Sequence, residues 1–96
     1  MAIAVMQEWD VGSDRSTENY DAIDKRLGPL GAPDGLIAHS AGFSGDTFRI
    51  YDIWESEDAY NQFLSQHLQP AIEAVVPMDQ PPPNTTVYEL HNVITP

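Results

Sequence analysis

The sequence predicts an α+β domain in which four antiparallel strands form one sheet and two helices pack on one of its faces. Three observations carry this expectation. Stretches of alternating character and stretches with apolar residues at three- and four-residue steps follow one another as strand, helix, strand, strand, helix, strand. The two middle strands are separated by Ser44-Gly45, a hairpin signal. The passage TFRIYDIWESEDAYNQFLSQHLQPAI, Thr47 to Ile72, runs from alternation directly into an amphipathic helix.

Ala2 to Trp9 reads as the first strand, with Ile3, Val5, Gln7 and Trp9 on one side, and Asp10 to Asp14 as a polar turn containing Gly12. From about Ser16 to Leu27, Tyr20, Ile23 and Leu27 fall on one helical face. Glu18 sits near the start, Lys25 and Arg26 lie in the last turn, and Gly28-Pro29 ends the helix. Leu30 to Gly35 is a loop and Leu36 to Phe43 a second strand. With a hairpin loop of two or four residues, Ala41 faces Phe48, His39 faces Ile50 and Ile37 faces Asp52. His39 then shares a face with Ile50, Asp52 and Trp54. A three-residue loop puts it on the other face.

Along the third strand Phe48, Ile50, Asp52 and Trp54 share one face and Arg49, Tyr51, Ile53 and Glu55 the other. Apolar bulk on both sides predicts a strand covered on both faces. Asp52 breaks the pattern. A carboxylate between Ile50 and Trp54 is costly to bury without a donor, which makes it a pocket residue or a strand-end residue reaching water. Ser56 is placed to cap the next helix, with Glu57 and Asp58 in its first turn. The apolar stripe then runs from Tyr60 through Phe63, Leu64, His67 and Leu68 to Val76. Pro70 predicts a kink or restart near Gln69 and Pro77 a stop. The proline-rich stretch from Pro77 to Asn84 reads as a tether, and Val87 to Ile94 as the last strand.

This βαββαβ order, spanning residues 1–96 as one domain, is that of a ferredoxin-like sandwich, with both helices on one face of a four-stranded antiparallel sheet. The other face is then bare. If it carries Trp54, Phe48, Ile50 and Trp9, the apolar patch calls for a second copy, and the space between the two sheets becomes the natural ligand site.

Composition removes several function classes. With 15 acidic and 4 basic residues the formal charge is −11, which repels phosphate backbones and anionic membranes, so neither nucleic acid nor a membrane is an expected partner. There is no cysteine, hence no disulfide and no thiolate chemistry. The N-terminal MAIAVM is too short for a signal segment, which gives a cytoplasmic location as the expectation. No glycine-rich phosphate loop or nucleophile elbow is present, and the three histidines lack a metal-ligand spacing, so no metal is expected.

The order of elements, the IYDIWES strand end at Ile50 to Ser56 and the EDAYNQFLSQHLQPAI helix at Glu57 to Ile72 resemble the dimeric α+β barrel superfamily. That superfamily includes antibiotic biosynthesis monooxygenase domains and the related haem-degrading monooxygenases. PDGLIAHSAG at Pro33 to Gly42 and HNVITP at His91 to Pro96 further resemble a group of small, largely actinobacterial barrel proteins without an assigned reaction. The resemblance implies a homodimer joined through the sheet face. In the haem-degrading members an asparagine on a strand, a tryptophan before the second helix and a helix histidine form the pocket. Here Trp54 matches that tryptophan, Gln7 is the nearest polar residue to the asparagine, and His67 lies on the corresponding helix. Four basic residues leave little to hold haem propionates, so no cofactor is expected and haem is disfavoured.

His39 and Asp52 form the leading candidate pair. A carboxylate that orients an imidazole makes a general base able to deprotonate a phenol or enol, and Trp54 supplies a flat apolar wall. The resemblance implies that the resulting anion passes an electron directly to dioxygen, as in cofactor-free members. Gln7, Trp54, His67 and His91 are the candidate substrate-binding residues around His39 and Asp52. The expected function is thus a cofactor-independent monooxygenase acting on a small planar aromatic or polyketide-like molecule. The alternative is a non-catalytic homodimer that binds a small molecule or is purely structural, with His39 a hydrogen-bonded strand residue and Trp54 part of the interface.

Overall fold

The computed structural model describes residues 1–77 and 82–95. The strands are β1 (Ile3–Asp10), β2 (Leu36–Ser44), β3 (Thr47–Trp54) and β4 (Asn84–Glu89), and the helices are α1 (Glu18–Leu27), α2 (Glu57–Phe63) and α3 (Gln69–Val75). The sheet is antiparallel in the order β2-β3-β1-β4. This is the ferredoxin-like arrangement expected from the chain, with the helices on one face.

Ser56 caps α2 as its position predicts: its hydroxyl accepts from the Ala59 amide at 3.1 Å, with Glu57 and Asp58 in the first turn. Helical backbone then continues into α3. Where Pro70 implied a kink or restart, the chain forms a π turn at Leu64–Leu68, in which the Gln69 amide donates to the Leu64 carbonyl. Widening the spiral just before a residue that has no amide proton spares the preceding turn the clash with the pyrrolidine ring. Val76, ahead of Pro77, is already extended. After α1 the chain tightens into a 3-10 turn, Gly28–Leu30, and reverses at Gly31 (φ 73°), three residues beyond the expected Gly28. Pro29 fits the start of that turn, where no amide is needed.

The hairpin loop is Gly45-Asp46, with Gly45 at φ 58°, so Ser44 pairs with Thr47 and His39 lies opposite Asp52. The expected pairing is corrected by two residues, a shift that preserves which side chains share a face. Ile37, expected opposite Asp52, instead sits at an irregularity between Leu36 and Ala38. The last strand starts at Asn84 and stops at Glu89, earlier than the expected Val87 to Ile94. Its partner β1 begins at Ile3, and the Leu90 amide bonds the Ala2 carbonyl, so no strand remains for the residues beyond. Four of the residues expected to form the proline-rich tether, 78–81, lie outside the described residues.

The faces of the sheet are assigned opposite to expectation. Trp54 packs on Tyr60 and Phe63 with ring centroids 5.7 and 5.5 Å apart, and Phe48 meets Tyr20 at 5.7 Å. Phe48, Ile50, Trp54 and Trp9 therefore face the helices of their own chain. The bare face carries Met6, Tyr51, Ile53 and Tyr88, with Arg49 bonded to Glu8 at 2.8 Å across the β1–β3 pair and the Tyr51 and Tyr88 hydroxyls 3.2 Å apart. That face is uncovered by the chain itself, so β3 is not enclosed on both sides.

The closed core occupies one end of the sandwich: Ile3, Val5, Trp54 and Tyr60, with Leu36, Ala59, Phe63 and Leu64 against them. A second aromatic group, Trp9, Phe43, Phe48 and Tyr20, lies at the other end, with the Arg15 guanidinium 4.7 Å over the Phe43 ring. Helix α1 buries no residue fully, because its inner side chains look into the space between these clusters.

Candidate functional site

That space is a cleft of about 1660 Å³ between the sheet and the helices of a single chain. It lies on the helix-covered face of the sheet, whereas a ligand space was expected between two sheets. Ile50, Trp54, Phe63, Leu68 and Ile72 are among its apolar lining, Gln7, His39 and Asp52 line it from the sheet, and carboxylates including Asp14, Glu18, Asp24 and Glu73 line it from the helical side.

Opposed positions on β2 and β3 bring the His39 Nδ1 to 2.5 Å from Asp52 Oδ1. A carboxylate can only accept, so the neutral imidazole carries its proton on Nδ1 and leaves the Nε2 lone pair free. Tyr20, from α1, places its hydroxyl 2.7 Å from Nε2, where it donates to that lone pair. Its ring lies parallel to the imidazole, with centroids 6.1 Å apart. The result is a chain, Tyr20 to His39 to Asp52, in which every proton position follows from the carboxylate at its end. The side chains of His39 and Asp52 are 39% and 16% exposed, so the acid is the sheltered end.

The hydrogen bond and charge of Asp52 raise the His39 pKa above its ordinary value against the opposing effect of burial. Burial raises the Tyr20 pKa, with Asp24, Asp52 and Asp21 adding to the effect, so Tyr20 remains a phenol at neutral pH. Tyr60 is raised in the same way by burial and by Asp52. Trp54 is 1% exposed, and its indole Nε1 is buried without a hydrogen-bond partner among the described residues.

Of the residues singled out in the sequence, His39, Asp52, Gln7 and Trp54 line this cleft. His67 and His91 do not: both are exposed, His67 lying 6.0 Å from the Phe63 ring on the outside of the π turn. The widened spiral rotates His67 off the apolar stripe on which a regular helix would put it. His91 follows the end of β4. In the sequence Tyr20 is part of an apolar helical face, and its spacing gives no sign that its hydroxyl reaches across to β2. The donor set does not fit haem, since the helix histidine is outside the cleft and, among the described residues, no Lys or Arg lines it. Among the described residues no group of three or more His, Asp or Glu side chains could hold a metal ion.

A scan of protein-family models finds no match to the sequence, and neither does a search of curated proteins. Solved structures do match. The chain is similar to Rv0793 from Mycobacterium tuberculosis, with a TM-score of 0.75 at 17% identity over 99% of this chain and 100% of that one. It is similar to SnoaB, a cofactor-independent oxygenase from Streptomyces nogalater, with a TM-score of 0.70 at 11% identity over 97% and 96%. A candidate antibiotic biosynthesis monooxygenase from Deinococcus radiodurans gives 0.69 at 16% over 99% and 97%. The chain therefore shares the ferredoxin-like α+β fold of these proteins. At these identities the likeness is one of fold.

Proposed function

We propose that the protein is a cofactor-independent monooxygenase acting on a small planar aromatic or polyketide-like molecule held in the cleft, with His39 as general base. The observation that carries this reading is the Tyr20, His39, Asp52 chain on the floor of an apolar cleft. The name of one structural neighbour, a cofactor-independent oxygenase, supports the class of reaction.

The chemistry follows from the proton positions. Asp52 orients His39 and stabilises the imidazolium it becomes, while a substrate hydroxyl docks on the Tyr20 oxygen. As the substrate ionises, its proton passes to Tyr20 and the Tyr20 proton to His39 Nε2, leaving a delocalised substrate anion against the Ile50 and Phe63 side chains. The anion gives one electron to dioxygen, and the carbon radical and superoxide combine to a peroxide anion. That anion takes back a proton from His39. Loss of water then leaves a carbonyl where the substrate had a CH2 group, so one oxygen atom is inserted and the other leaves as water.

The test is oxygen uptake with a planar enolisable ketone such as anthrone. His39→Ala should abolish it while circular dichroism stays unchanged, and surviving uptake would remove His39 from the role of base. One observation favours the non-catalytic alternative: both ring nitrogens of His39 are already bonded, as in a structural histidine. In that case the wild-type protein binds the ketone without consuming oxygen. In either reading we propose a homodimer through the bare sheet face, supported by Tyr51, Ile53 and Tyr88 on it, with light scattering as the check.

A further inference from the structure

The cleft has a consistent electrostatic sign. Among the described residues no Lys or Arg lines it, whereas the side chains around its floor and walls include Asp14, Glu18 and Asp24 from the first helix and its approach, Glu73 from α3 and Asp52 from β3. The basic residues of the chain lie outside its lining: Arg49 bonds Glu8 on the opposite face of the sheet, Arg15 sits over Phe43, and Lys25 and Arg26 are in the last turn of α1. Among the described residues His39 is the one lining group able to become a cation, and Asp52 already holds it. The overall charge of −11 has the same sign.

A ligand that enters such a cleft loses part of its hydration to apolar walls. An anion would lose it without meeting a cationic partner and would approach several carboxylates, two costs of the same direction. We propose that the cleft takes uncharged or cationic planar molecules and rejects those bearing a carboxylate or phosphate. This rests on the cleft being the ligand site and not on turnover. It also bears on the reaction: the substrate arrives neutral, and the only positive charge facing its anion is the imidazolium that has just taken the proton. An anion so weakly stabilised is a better electron donor to dioxygen.

Binding of three probes with one ring system separates charge from shape: 1-naphthol, 1-naphthylmethylammonium and 1-naphthoate. Each is titrated into the full chain, with binding read from tryptophan fluorescence and from the NMR shift of the Trp54 indole. The first two should bind, and naphthoate about tenfold more weakly or worse, as expected for several carboxylates at cleft distances in a water-like dielectric. The gap should narrow at high salt. A double variant, Asp24→Asn with Glu73→Gln, should tighten naphthoate binding by about threefold relative to naphthol. Naphthoate binding equal to or tighter than naphthol overturns the proposal, as does a Trp54 signal unmoved by all three probes. No turnover is involved, so a protein inert towards oxygen can still pass this test, and an oxygenase that binds naphthoate well fails it.

Discussion

Replacement of Trp54 by Ala removes the largest fully buried side chain, 1% exposed and packed on Tyr60 and Phe63 at 5.7 and 5.5 Å. Truncating a buried Trp costs about 3–5 kcal/mol through lost transfer energy and the void left behind. Two features place this site at the low end. The space opened joins the cleft and fills with solvent, which relieves part of the void, and the indole Nε1 removed was buried without a partner. We expect a loss of about 3 kcal/mol, or roughly 12–24 °C in Tm for a domain of this size. Urea unfolding followed by circular dichroism measures it, and Trp54→Phe, which keeps an aromatic ring, should lose only about 1–2 kcal/mol. A loss below about 1 kcal/mol for Trp54→Ala would show that the ring does not anchor the closed end of the sandwich.

Gly35 is at φ 88°, and a Cβ there would stand 2.6 Å from the Ala59 Cβ. Gly35→Ala should therefore destabilise by about 2–4 kcal/mol in the same unfolding assay, from backbone strain and overpacking together. Asp52→Asn should lower the His39 pKa, since the hydrogen bond and charge that raise it are lost, and imidazole NMR titration against wild type reads the shift. Because the folded pKa of His39 lies above its unfolded value of about 6.5, the folded state binds more protons between the two. The stability His39 contributes should be full below about pH 6.5 and fall as the pH rises through the folded value, visible as the difference between the wild-type and His39→Gln stability curves. A difference curve that rises over that range would reverse the assignment of Asp52 as the partner.

The order of elements, and their ends wherever the signal is local, can be read directly from the amino-acid pattern. Ser56 caps α2 because its hydroxyl needs only the amide three residues on, and alternation alone placed Phe48, Ile50, Asp52 and Trp54 on one face. It also determined that His39 joins that face for any even loop, since a register error of two residues leaves side-chain parity unchanged. What alternation could not determine is which side of the sheet the helices cover, because both faces of β3 carry apolar bulk. Only tertiary packing decided that Trp54 and Phe48 turn towards Tyr60 and Tyr20, which leaves a cleft between the sheet and the helices of one chain. The same holds for Tyr20 and His67. A helical stripe records angle about the helix axis but not distance across a cleft, and a π turn changes that angle partway along. Tyr20 thus meets His39 at 2.7 Å while His67 leaves the site, both outcomes of how elements distant in the chain are brought together.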